Sequence, residues 1–189
     1  MFKKVINTYI RSKINFFEIM RGYYWKFLIR LSGGSCGGNL RVGRGVKFKY
    51  GPSENIRIGS NVYIGDFVVI DVNHNASLSL GSNCYLSVGV FVAANDDISI
   101  GSFSLIAEYT SIRDHNHGTM INLEVFKQDN VSEPIKIGYD VWIGRGCVIL
   151  KGVNINDRCI IGANSVVNRN LEYGSVAVGS PARKIKSRN

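Results

Sequence analysis

The chain has 189 residues, enough for one repeat stack or one globular domain with a core of its own. Hydrophobic residues make up 45% and charged residues 20%, with 3 Pro and 21 Gly, a balance that excludes a disordered chain and a collagen-like one. The net charge of +9 gathers near the N terminus and in Arg183, Lys184, Lys186 and Arg188, and it calls for an anionic partner: nucleic acid, a membrane surface or a phosphate-rich small molecule.

The first predicted element is a helical stretch from about Phe2 to Leu31, basic and aromatic, with Phe16, Phe17, Tyr23, Tyr24, Trp25, Phe27 and Leu28. Two compatible roles suit it. It can cap the open end of a solenoid, which every solenoid requires, and it can form an interfacial patch that draws the chain to anionic lipid. Met1-Phe2-Lys3-Lys4 is not followed by the apolar run and small-residue cleavage site of a secretory signal. No apolar run approaches the roughly 20 residues of a membrane-spanning helix, so the expected location is cytoplasmic, peripheral to the inner face of the cell membrane. The run Gly33-Gly34-Ser35-Cys36-Gly37-Gly38 lacks the Lys-Ser/Thr ending of a phosphate loop. It reads as a linker, which divides the chain into an N-terminal cap and linker at 1–35 and a repeat domain at 36–189.

From there a six-residue beat dominates. Aliphatic residues, often followed by Gly, recur as Ile58, Ile64 and Ile70; Leu80, Leu86 and Val92; and Ile100, Ile106 and Ile112. The beat returns as Ile137, Ile143, Ile149, Ile155, Ile161 and Val167. A second track of small or β-branched residues follows four positions after them: Val62, Val68, Cys84, Val90, Ser104, Thr110, Val141, Cys147, Val153, Cys159 and Ser165. A triangular parallel β-helix needs this pattern, because each flat face is a short strand whose inward residues fill the prism, while Gly or Asn relieves the backbone at the corners. Three faces make a coil of about eighteen residues, and about six coils give a prism near 30 Å long. Three of the four cysteines lie on the small inward track and read as core filler; none has CxxC spacing.

The beat breaks at one corner only. Coils open with the doublets Ile56/Ile58, Leu78/Leu80, Ile98/Ile100 and Ile135/Ile137, at intervals of about 22, 20 and 37 residues instead of about eighteen. The surplus falls after the third strand each time, as Asp71 to Asn75, Asn95 to Asp97, and a protruding loop at about 113–134. Loops extruded from one edge of a solenoid are commonly its functional side, and all three histidines lie there. Arg113-Asp114-His115-Asn116-His117-Gly118 packs two imidazoles, a carboxylate and an amide into six residues. An imidazole can accept a proton near neutrality, and Asp114 or Glu108 can fix its tautomer; otherwise the segment is a solvated polar loop.

Residues 40 to 186 resemble the left-handed β-helix acyltransferases, within them the sugar and polysaccharide O-acetyltransferases related to galactoside and maltose acetyltransferases. The resemblance rests on Ile112 to Gly118, Asp140-Val141-Trp142-Ile143-Gly144, Ile161 to Val167, and Gly179-Ser180-Pro181-Ala182-Arg183. It implies an all-β, left-handed parallel β-helix, with acetyl-CoA as acyl donor and no metal. His117 would be the general base that takes the proton of an acceptor hydroxyl attacking the thioester. Coenzyme A would lie against Trp142, Gly144, Arg145, Ala163, Asn168 and Arg183, with Lys186 near the nucleotide phosphates; Arg183 carries a donor fork that matches phosphate, whereas Trp142 can equally be a packing residue. Acceptor contacts would fall to Ser87, Asn95, His115 and Asn116, and Ser87 stands where galactoside-type enzymes carry an Asn. The resemblance further implies a homotrimer with active sites at the subunit interfaces.

Rival readings remain open on sequence grounds. N-acylation of an amino sugar nucleotide and acetylation of an antibiotic use the same scaffold. A γ-class carbonic anhydrase would need three imidazoles around zinc, and His74, His115 and His117 lack that spacing. A nucleic-acid module lacks any recognised motif.

Overall fold

A computed structural model describes residues 2–188, with side chains of the first helix described at Lys13 and from Asn15 onward; Met1 and Asn189, the ends of the two expected units, lie outside the described residues. The expected prism is present. Short strands follow one another at six-residue steps and stack in parallel on three faces. Face A holds 35–36, 56–58, 77–80, 97–100, 135–137 and 154–155; face B holds 41–42, 63–64, 85–86, 105–106, 142–143, 160–161 and a closing hairpin; face C holds 47–48, 69–72, 91–94, 111–113, 148–149 and 166–167. The result is six coils of a triangular parallel β-helix, consistent with the left-handed coil expected.

Register aligns the hexad residues into three vertical columns. Cys36, Ile58, Leu80, Ile100, Ile137 and Ile155 stack inside face A. Val42, Ile64, Leu86, Ile106, Ile143 and Ile161 stack inside face B, and Phe48, Ile70, Val92, Ile112, Ile149 and Val167 inside face C. All are buried. The small second track fills the space beside them, and its hydroxyls satisfy the backbone of the next coil. Ser104 Oγ donates to the Gly138 carbonyl at 3.0 Å and accepts from the Val141 amide at 3.1 Å. Thr110 Oγ1 makes the equivalent pair with Gly144 and Cys147.

The corners differ from the expectation of Gly or Asn alone. Left-handed φ occurs at Asn39, Asn61 and Asn83, but also at Phe67, Phe103, Tyr109 and Arg158. At the corner between faces B and C the column runs Gly45, Phe67, Gly89, Tyr109, Gly146 and Asn164. A Cβ on Gly45 would lie 2.6 Å from the Phe67 ring, and one on Gly89 equally close to Tyr109. Glycine in one coil makes room for the aromatic ring of the next, and that packing offsets the backbone cost of the unusual φ.

The helix Phe2–Leu31 (α1) closes the N-terminal end. Its inner side is Glu18, Gly22, Trp25 and Ile29: Ile29 enters the core, Trp25 meets the Phe48 ring at 4.5 Å, and Glu18 pairs with Arg41 and accepts from Tyr63. Arg21 and Arg30 donate to the carbonyls of Val42 and Cys36. The helix ends where the Gly34 amide donates to the Ile29 carbonyl, with Gly33 at φ +85, a glycine-type C-cap. The Gly33–Gly38 run is therefore not a linker throughout. Ser35–Cys36 already pairs with Arg57–Ile58, because Cys36 occupies the first rung of the face A column. At the other end Leu171 bridges to Ile155, and the hairpin 175–179/182–187 extends face B.

Candidate functional site

Steps from face A to B and from B to C are six residues in every coil, so all surplus chain emerges at the corner between C and A, as expected. The longest excursion is built, not slack. His115–His117 pairs antiparallel with Asn130–Ser132. Gln128, almost wholly buried, holds the turn: its Oε1 accepts from the Met120 amide, and its Nε2 donates to the carbonyls of Met120 and Leu123. The tip is apolar, with Met120, Ile121, Val125 and Phe126 exposed, Phe126 at 96%.

Asp114 anchors the root of this hairpin. Its side chain is fully buried; Oδ1 and Oδ2 accept the amides of Asn95 and Asp96 from the coil below, both at 2.8 Å. Oδ1 also lies 3.0 Å from His115 Nδ1, and His115 Nε2 lies 3.2 Å from an Arg113 guanidinium nitrogen. A carboxylate only accepts and a guanidinium only donates, so the contacts assign His115 as a neutral imidazole with its proton on Nδ1. Its remaining lone pair is engaged by Arg113, which in turn lies over the Phe91 ring at 5.2 Å. His115 is thereby committed at both nitrogens.

His117, two residues on along the same strand, is exposed, and its ring has no hydrogen-bonding partner among the described residues. The two carboxylates considered for fixing its tautomer lie elsewhere. Asp114 points into the prism and meets His115. Glu108 sits on the B–C corner, 3.6 Å from Arg145. Asn95 and Asn116 join the His117 corner, the first through its amide on Asp114, the second exposed opposite Val131 in the hairpin. Arg113 and Gln128 were not singled out from the sequence. Arg113 adjoins the cluster, whereas nothing local marks Gln128.

Of the residues expected to hold coenzyme A, all but Asn168 occupy other edges. Gly144, Arg145 and Ala163 stack with Ser87 and Glu108 on the B–C corner; a Cβ at Gly144 would lie 2.7 Å from the Ala163 amide nitrogen. Trp142 points outward from face B, half exposed, between Leu105 and Ile160. Asn168 is exposed beside Val167 on face C. Arg183 and Lys186 lie on the closing hairpin, where Arg183 donates to the Ala182 carbonyl. Within one chain the His117 corner and the Arg145 corner are separated by the width of face C. Burial pushes all four cysteine thiols up, as for core side chains. Among the described residues no group of three His, Cys, Asp or Glu is placed to hold a metal ion; His74 lies against the Tyr50 ring, centroids 5.6 Å apart.

Residues 134–169 match the family model described as bacterial transferase hexapeptide (six repeats). A putative lipopolysaccharide biosynthesis O-acetyl transferase of Escherichia coli is 33% identical over 105 residues, 51% of this chain and 54% of that one. The matched stretch spans from about a quarter to about half of the curated relatives' own length. Among solved structures, a galactoside acetyltransferase in complex with coenzyme A superposes with a TM-score of 0.62 at 26% identity, covering 91% of this chain and 81% of that one. An N-acyltransferase from Bacillus cereus shares the fold, with a TM-score of 0.71 at 22% identity over 85% of this chain and 86% of that one. Through its repeat, its coil and these matches, the chain resembles the hexapeptide-repeat β-helix proteins and, among them, the galactoside and maltose acetyltransferases.

Proposed function

We propose that this chain is an acetyl-CoA-dependent O-acetyltransferase acting on a sugar hydroxyl of a bacterial-type surface polysaccharide or its precursor. The observation that carries the reading is the division of labour between the two histidines: His115 is held at both nitrogens, while His117 stands exposed with its ring unengaged. A general base needs a free lone pair within reach of a substrate hydroxyl, and the unengaged ring of His117 supports that role. Support for the reaction comes from the galactoside acetyltransferase bound to coenzyme A and the O-acetyl transferase relative.

In this reading the acceptor oxygen attacks the thioester carbon as its proton passes to the His117 imidazole. The tetrahedral oxyanion collapses, the carbon–sulfur bond breaks, and the departing thiolate recovers that proton from the imidazolium. No covalent enzyme intermediate forms. Arg145, Arg183 and Lys186 would meet the phosphates of coenzyme A. Because the His117 and Arg145 corners of one prism face different directions, a complete site needs a second copy, and a homotrimer brings one corner of each copy against its neighbour. The exposed apolar tip at Ile121 and Phe126 is the segment such an assembly would cover.

The test is acetyl-CoA turnover with a panel of sugars and amino sugars, followed by release of free thiol. His117→Ala should lower turnover by about two to four orders of magnitude with an unchanged circular dichroism spectrum. Normal activity in that variant would overturn the assignment of the base. Acetylation confined to amine acceptors would replace O-transfer by N-transfer, and a monomer at working concentration would remove the shared site.

A further inference from the structure

The helix α1 (Phe2–Leu31) has two opposed apolar sides. At about 100° per residue, Glu18, Gly22, Trp25 and Ile29 form the side that packs on the first coil. The opposite side holds Phe16, Met20, Tyr23, Tyr24, Phe27 and Leu31, each between 50% and 72% exposed. An apolar stripe of this length is unusual on a soluble surface. Its flanks are basic: Lys26 and Arg30 border one edge and Arg21 the other. Over residues 1–31 the sequence has seven Lys and Arg against a single acid, Glu18, and that acid is buried against Arg41. Among the described residues no helix is long and apolar enough to cross a membrane.

We propose that α1 is a membrane-docking helix that lies in the interface of an anionic phospholipid bilayer, its inner side fixed to the prism and its outer side inserted among the acyl chains. The charge decides between occupants. A second copy would bring the same basic flanks together, whereas an anionic surface complements them and gains from each Lys or Arg brought near it. Tyr23, Tyr24 and Lys26 suit the headgroup level, with apolar bodies and polar tips, while Arg21 and Arg30, tied to the Val42 and Cys36 carbonyls, add positive charge beside them. The helix spans the N-terminal end of the prism, so docking stands the prism on the membrane. The His117 hairpin springs from the fourth coil, three strand spacings or about 14 Å above the first. This placement does not depend on the acyl transfer proposed above, since vesicle binding is read without turnover.

The experiment is co-sedimentation of the full chain with phosphatidylcholine vesicles and with vesicles in which part of the phosphatidylcholine is replaced by phosphatidylglycerol. Binding should rise about tenfold or more with the anionic lipid and fall with added salt. The double variant Met20→Glu, Phe27→Glu, whose changes face away from the prism, should lose vesicle binding while keeping its melting temperature and its sedimentation coefficient. Equal binding of parent and double variant would overturn the proposal. So would absence of binding to either vesicle together with a smaller assembly for the double variant, which would assign the stripe to a contact between copies.

Discussion

Replacing Asp114 by Asn tests the anchor beneath the His117 hairpin. The carboxylate receives two backbone amides at 2.8 Å and the His115 ring at 3.0 Å in a fully buried position. Hydrogen bonds to a charged group are worth about 1.5–3 kcal/mol each, and a buried donor left without a partner costs about 1–3 kcal/mol. An amide keeps one acceptor oxygen and turns an NH2 group toward one of the two backbone donors, so Asp114→Asn should destabilise by about 3 kcal/mol. Asp114→Ala leaves both donors unpaired and should cost about 5 kcal/mol. In a chain of this size the first loss corresponds to a fall of roughly 6–12 °C in melting temperature. Thermal unfolding followed by circular dichroism measures it. A change within about 0.5 kcal/mol of the parent would refute the claim that this carboxylate ties the hairpin to the coil below.

Gly89→Ala should destabilise by about 2 kcal/mol, because residue 89 has φ +67 and a new Cβ would press on the Tyr109 ring; Gly38→Ala, where a Cβ meets nothing within 4 Å, is the matched control expected near neutrality in the same denaturant titration. All four thiols should resist an aromatic disulfide reagent in native protein and react on unfolding, since each is buried with its pKa pushed up. The same groups set an alkaline limit. Tyr63 is pushed up to about 12 by burial and then by Glu18. For acids whose folded pKa lies above the unfolded one, the stabilisation is complete below the unfolded values of 9.0 for Cys and 10.0 for Tyr and is lost as pH rises through the folded ones. Melting temperature should therefore fall from about pH 9 upward, and a flat profile there would contradict the burial of these groups.

The prism was legible because its information is local: Ile137, Ile143, Ile149 and Ile155 announce their shared interior by spacing alone, and the surplus residues after each third strand mark the corner from which the loops emerge. What stayed hidden depends on contacts between coils. Asp114 is three residues from His117, which suggested a pair, yet its oxygens are spent on amides of Asn95 and Asp96 in the preceding coil and on the adjacent His115 ring. The αL aromatics Phe67 and Tyr109 escape a reading by turn propensity, because the glycine that accommodates each ring lies one coil away. Cys36 looked like part of a glycine-rich joint since its column begins before the six-residue beat is established. The partition between corners of the residues proposed to hold coenzyme A could not be read from their order either, because sequence distance does not reveal which edge of a triangle a residue occupies.

The rigidity of two corners and the freedom of the third separate inheritance of scaffold from inheritance of chemistry. An inserted residue at the A–B or B–C edge would rotate every later side chain out of its column and end the stack, so those edges hold the chain to a fixed metre. At the remaining edge, lengthening costs only the closure of a longer surface loop, which grows slowly with length. In the acyl-transfer reading proposed above, acceptor preference can drift through additions at that edge while the wall beneath it stays the same.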